Sequence, residues 1–83
     1  MSTEHNPNVL RSSIRRIELE IEDIERELDF LKTEKIYRLN DDRLDLYMAH
    51  ERRRKNDLLE MQRGLLETYA DVMNRLRRQE VNR

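Results

Sequence analysis

Hydrophobic residues recur at alternating intervals of four and three positions in the first half of the chain. This spacing is the a/d pattern of a helix that packs along its whole length against a neighbour. It predicts one long helix over about residues 7–39. The members of this first seam are Leu10, Ile14, Ile17, Ile21, Ile24, Leu28 and Leu31.

A second seam with the same spacing follows in the C-terminal half and predicts a second helix over about residues 43–78. If the two helices run antiparallel, seam residues whose numbers add up to 86 face each other, as Leu10 and Leu76 do. In this register Lys35 meets Glu51, either as an ion pair that fixes the register or between solvated, splayed arms. The second seam consists of Leu58, Gln62, Leu65, Tyr69, Val72 and Leu76.

Turn-forming residues separate the two seams. Asn40 can adopt the left-handed conformation that ends many helices, and Asp41 or Asp42 can cap the next one. We therefore expect an all-α antiparallel helical hairpin with its turn near residues 40–43. One unbroken helix is the alternative, but the seam phase changes at Leu44, where a continuous coil would need a three-residue stammer.

The ends of the chain complete this domain organisation. Asn6 suits an N-cap and Pro7 suits the first helical position, where a missing N–H costs nothing. We expect the hairpin to span residues 7–79. Residues 1–6 would form a flexible tail, and residues 80–83 a frayed basic tail.

The hydrophobic pattern also predicts self-association. Ile occupies both a and d positions of the first helix, which favours assemblies of more than two strands. Leu59, Leu66 and Met73 widen the apolar face of the second helix, as in a helix with two neighbours. A homodimer forming a four-helix bundle or coiled coil satisfies both features, and its expected core is the two seams without Gln62. This architecture resembles that of the small plasmid-encoded RNA-binding helical-hairpin dimers.

Composition agrees with a long-helix protein. Charged residues make up 42% of the 83 residues and aromatic residues 5%, with one Gly and one Pro. A chain this short has a marginal core, so a partner, either a second copy or another helical protein, is expected. The absence of cysteine, of a signal sequence and of a long apolar run predicts a soluble intracellular protein, cytoplasmic or nuclear, without membrane contact.

An acidic belt covers residues 18–29. It holds seven acids against Arg26 alone, a local charge of -6, whereas residues 57–68, opposite in the expected register, carry -2. The belt is therefore either a solvated face or a surface that awaits a basic partner. Glu22 and Glu25 within it are candidate partner-binding residues.

Two aromatic residues, Phe30 and Tyr37, lie one heptad apart on the outer face of the first helix. Scattered exposed apolar residues are ordinary, and more extensive bundle packing would also account for them. Aromatic side chains are nevertheless common anchors of protein interfaces. Phe30 and Tyr37 are therefore further candidates for contact with a protein partner.

A basic segment, Arg52, Arg53, Arg54 and Lys55, is followed by Leu58. The run resembles the basic region of basic helix-loop-helix proteins over about eight residues, which implies contact with DNA phosphates and base edges. The ordinary alternative is a solvated basic tip or a set of ion-pair donors. Nucleic-acid binding through this segment is accordingly the second functional hypothesis.

The sequence contains no recognisable catalytic motif. A single glycine excludes a glycine-rich phosphate loop, and without cysteine there is no thiolate nucleophile. His50 has no carboxylate or histidine three or four residues away, so no metal site is expected. We expect no cofactor, no small-molecule ligand and no catalytic residue. The favoured hypothesis is a non-catalytic adaptor, scaffold or regulator that binds other proteins, with an obligate subunit of a hetero-oligomer as a variant.

Overall fold

The computed structural model describes residues 6–81 and shows a hairpin of two helices. Helix α1 spans Pro7–Tyr37 and helix α2 spans Asp42–Val81. The hairpin is a rod of 66 × 16 × 16 Å. The predicted antiparallel helical hairpin is confirmed, and the single unbroken helix is wrong because the chain reverses at residues 38–41. Residues 1–5 and 82–83, in the two tails of the predicted organisation, lie outside the described residues.

The start of α1 follows the prediction. The Asn6 side chain accepts a hydrogen bond from the Asn8 N–H at 2.9 Å, and Pro7 is the first helical residue. The Asn6 carbonyl accepts the first helical bond from Leu10 at 3.0 Å. Both the side-chain oxygen and the carbonyl oxygen of Asn6 therefore accept hydrogen bonds from the first turn of α1. The fixed φ of Pro7 also favours this turn.

The turn differs from the prediction at Asn40. No non-glycine residue among those described has a positive φ, so Asn40 does not adopt the left-handed conformation. The helix ends instead at Arg38, whose φ of -131° and ψ of 58° leave the helical region while its N–H still bonds the Lys35 carbonyl at 3.2 Å. Asp41 then caps α2, because its side chain accepts from the Leu44 N–H at 3.1 Å.

The register is one heptad away from the predicted one. Lys35 contacts Asp45 at 2.7 Å rather than Glu51, and Lys55 contacts Glu25 at 3.7 Å. The turn at residues 38–41 sets this alignment, since a turn centred nearer 43 would be needed to pair Lys35 with Glu51. A shift of seven residues returns the same seam to the interface, so the hydrophobic pattern alone does not distinguish the two registers.

The observed register determines which seam residues face each other. Ile17 lies between Leu58 and Leu65, which line one groove with it. Ile21 is therefore opposite Leu58 instead of Leu65, and Leu28 is opposite Glu51. Residue Leu76 is exposed, because α2 extends past Pro7, the first residue of α1, and nothing of α1 lies across from it.

The core runs along the seam. The buried hydrophobic residues of α1 are Leu10, Ile14, Ile17, Ile21, Ile24 and Leu28, and those of α2 are Met48, Leu58 and Val72. Leu31, Leu44 and Leu65 are half-buried against them, and Tyr69 is also half-buried. The seam of α2 thus begins at Leu44, earlier than expected, and α2 continues to Val81, beyond the expected end at residue 78.

Candidate protein-interaction surface

The contacts between the helices define two sides of the hairpin. On the first side, Lys35 meets Asp45, Lys55 meets Glu25, and Arg11 donates to the Tyr69 hydroxyl at 2.9 Å. The Arg11 guanidinium also lies 5.9 Å from the centre of the Tyr69 ring, and its hydrogen bond to the Tyr69 hydroxyl is the main reason that the pKa of Arg11 is raised.

The second side carries a different set of contacts. Arg54 lies 3.9 Å from Glu20, and the Tyr47 hydroxyl donates to Glu27. This hydrogen bond is the largest cause of a raised pKa of Tyr47, followed by desolvation and the negative charge of Glu27. Residues seven apart share one side of a helix in a heptad repeat. Met61, one heptad after Arg54, therefore lies on the second side.

An apolar row occupies the first side of α2. Counting in heptads from Asp45 gives first the exposed Arg52 and then Leu59, Leu66 and Met73, and we call these last three the leucine stripe. Leu59 is 41% exposed and Leu66 47% exposed, and Met73 is half-buried. The α1 residues on this side beside the stripe are charged: Arg11, Glu18 and, toward the turn, Glu25. The stripe is thus apolar surface that α1 leaves partly open.

The charges of α1 beside the stripe change sign near the middle of the hairpin. Arg11 and Arg15 lie toward the N-terminal end, and Glu18 and Glu22 follow one turn later. Arg15 and Glu18 are 3.1 Å apart, with side chains 62% and 41% exposed. Exposed pairs of this kind add little to stability, so both side chains remain able to contact another molecule.

The acidic belt is not left unmatched by its own chain, contrary to the expectation from the sequence. In the observed register it lies beside residues 50–61, which hold four cations and three acids, one net positive charge. Two of the cations, Arg54 and Lys55, contact Glu20 and Glu25. The correction follows directly from the register, since the expected alignment placed the basic segment nearer the turn.

The remaining candidate residues are spread over the surface. Glu22, Phe30 and Tyr37 are exposed, and the two aromatic residues lie toward the turn, away from the leucine stripe. Arg52 and Arg53 are exposed as well. The structure therefore brings Glu25 together with Lys55 but does not gather the candidate residues into one site.

The burial of Met48 and Glu51 was not predicted from the sequence, although Glu51 was placed in the seam opposite Lys35. Both are buried, Glu51 at 5% exposure, and its Oε2 atom has no hydrogen-bond partner among the described residues. The interval of four residues from Leu44 to Met48, then three to Glu51, continues the seam and was the signal that could have identified them. Residues 6–81 contain no group of three or more His, Asp or Glu side chains arranged to hold a metal ion.

Comparison with known protein families, curated proteins and solved structures found no match to this chain. In the described part of the chain, neither helix contains a stretch long and apolar enough to cross a membrane. The geometry of the residues is therefore what supports a functional interpretation.

Proposed function

We propose that this chain is a non-catalytic protein–protein interaction module that presents the leucine stripe to a helix of another polypeptide. The observation that carries the proposal is that Leu59 and Leu66 are about half exposed although the seam beside them is closed. Apolar residues one heptad apart form a continuous row on a helix, which is the surface that a second helix covers in a bundle.

The closed seam supports this assignment of the docking face. The six buried seam residues of α1 already pack against α2 within one chain. A partner could reach them only by opening the hairpin, at the cost of exposing this core to water. A partner that covers the stripe gains apolar burial without that loss.

Site-specific photo-crosslinking in cells tests the proposal. A benzophenone amino acid at position 66 is expected to give adducts of defined mass. The same group at position 61 is the control, because Met61 lies on the same helix, is 56% exposed and belongs to the second side. Equal adducts from the two positions, or none from position 66, would contradict a docking role for the stripe.

The alternative function, nucleic-acid binding by residues 52–55, has less support. Arg54 and Lys55 are engaged by acids of α1, and the acidic belt lies beside the whole segment. A phosphate would have to displace these carboxylates and approach a negative surface. If the alternative holds, replacing Arg52 and Arg53 with Ala abolishes a salt-sensitive electrophoretic shift with a mixed DNA or RNA ladder.

A further inference from the structure

The leucine stripe and the charges of α1 share one centre along the hairpin. The midpoint between Leu59 and Leu66 falls beside Gln62, and Gln62 is level with Ile17 in the observed register, since Ile17 lines a groove with Leu58 and Leu65. The change of sign on α1, between Arg15 and Glu18, falls at this same level. A single two-fold axis at this level can therefore relate Leu59 to Leu66 on α2 and Arg15 to Glu18 on α1.

A two-fold axis there makes the first side complementary to itself. It runs perpendicular to the helices and sets α2 antiparallel to a second α2, with Leu59 over the partner's Leu66 and the reverse. The same operation sets Arg15 over the partner's Glu18 and Arg11 over the partner's Glu22. Leu59 thus meets an apolar residue, and Arg11 and Arg15 meet acids, without any adjustment of the register. The exceptions are Met73, which lies over the partner's Arg52, and Arg63, which lies beside the axis and pairs with Glu67 of its own helix at 3.8 Å.

We propose that a second copy of this chain covers the leucine stripe in this antiparallel arrangement. The inference rests on the proposed function and names the partner. Leu59 and Leu66 form the apolar centre between the two α2 helices. Arg11, Arg15, Glu18 and Glu22 form a charged margin between the two α1 helices, where their long side chains span a wider gap.

A two-fold axis parallel to the helices fits the surface less well. It would place α2 against the partner's α1, with Leu59 between the partner's Glu18 and Glu25. Leu59 would then cover carboxylates instead of an apolar residue. Glu18 and Glu25 would be desolvated with only the ion pairs of their own chain, to Arg15 and Lys55, and this cost exceeds the gain from the contact. The perpendicular axis is therefore the arrangement that the residues support.

The apolar centre is tested by sedimentation equilibrium of the full chain. Leu66→Asp is expected to raise the dimer dissociation constant about tenfold or more, because it desolvates a charge at the centre. Met61→Asp is the matched control, since it puts the same acid on the second side of the same helix, and it should leave association near the wild-type value. Circular dichroism of both variants verifies that the hairpin remains folded.

Charge reversal in the charged margin tests whether Arg15 faces the partner's Glu18. Arg15→Glu alone and Glu18→Arg alone should each weaken self-association several-fold, because like charges then face each other across the axis. The double variant should recover it. A mixture of the two single variants should form a heterodimer more stable than either homodimer. Asp23 and Arg26 form the control, because this pair has the same spacing on α1 but faces outward.

A disulfide locates the axis directly, since the chain contains no native cysteine. Arg63→Cys lies beside the axis and should crosslink two copies under mild oxidation, whereas Arg53→Cys lies far from it and should not. Equal weakening by Leu66→Asp and Met61→Asp, or failure of the two single charge variants to combine, would overturn the arrangement. A strictly monomeric chain that still crosslinks another protein from position 66 overturns the second copy and retains the proposed function.

Discussion

Glu51 is a polar residue inside the hairpin seam. It is 5% exposed, lies level with Leu28, and its Oε2 atom accepts no hydrogen bond from the described residues. Lys55, one turn later on the same helix, directs its amine toward Glu25 instead. Burying an unpaired carboxylate is costly, so this position reduces the stability of the hairpin in the observed register.

Replacement of Glu51 by Leu is expected to stabilise the hairpin. Replacing buried ionic groups with apolar side chains of similar volume is often neutral or raises the free energy of unfolding by about 1–4 kcal/mol. We expect a gain within this range, because the Oε2 atom of Glu51 has no hydrogen-bond partner among the described residues. Urea denaturation followed by circular dichroism measures the change. Glu60→Leu, at an exposed position of the same helix, is the control and should change stability little. A Glu51→Leu variant less stable than wild type would show that the carboxylate has a stabilising partner.

The contribution of Tyr47 to the stability of the hairpin is expected to depend on pH. Its hydrogen bond to Glu27 raises the pKa of the phenol above the ordinary value near 10, which means that folding favours the protonated form. The resulting stability is present below the pKa of the unfolded chain and is lost as pH rises through the folded pKa. The difference in urea midpoint between wild type and Tyr47→Phe should therefore be constant below about pH 10 and shrink above it.

Tyr37→Phe provides the control for this measurement. Tyr37 is exposed, and it is also a tyrosine near the turn, so its loss removes the same ionisable group without the contact to Glu27. A midpoint difference for Tyr47→Phe that does not respond to alkaline pH would exclude the hydrogen bond as its source.

At the scale of the helices, the turn determines the register in which α1 and α2 align. Asp41 caps α2, and Lys35 donates to the Leu39 carbonyl at 2.8 Å while contacting Asp45. These local bonds hold the reversal at residues 38–41. The register expected from the sequence would pair Lys35 with Glu51 and cover Leu76, but it would give up these bonds.

Pairs of cysteines distinguish the two registers. Cysteines replacing Ile21 and Leu58 face each other in the observed register and should form an intramolecular disulfide under mild oxidation. Cysteines replacing Ile21 and Leu65 face each other only in the register shifted by one heptad and serve as the control. The products are read by mass spectrometry of the monomer. Preferential closure of the second pair would show that α2 slides by one heptad.

At the scale of the whole molecule, the hairpin is a thin rod, and the mode of association determines the shape of its assembly. The axis near residue 62 lies close to the middle of α2, which spans Asp42–Val81. Two copies therefore overlap almost completely. Association through the aromatic residues Phe30 and Tyr37 near the turn would instead join the rods end to end.

Small-angle X-ray scattering separates these shapes. The dimer that we propose should keep a maximum dimension near the 66 Å length of one hairpin while its cross-section area roughly doubles. Leu66→Asp should return the cross-section to that of one hairpin at the same length. A maximum dimension near twice the hairpin length would indicate assembly through the turn.

Particular residues show how far the sequence determines this protein. The intervals from Leu10 to Leu28 are sufficient to predict α1 and its buried face, because one helical periodicity fits them. Asn6, Pro7 and Asp41 predict the helix starts, because caps act through bonds to residues within one turn. The leucine stripe was also recognisable beside the second seam, as a widened apolar face.

The tertiary structure alone decided the register and what depends on it. A shift of seven residues keeps both seams at the interface, so the heptad pattern by itself allows two alignments. The bonds within residues 35–45 select one of them. That choice puts the basic segment beside the acidic belt, buries Glu51 opposite Leu28, and aligns the leucine stripe with the change of charge on α1.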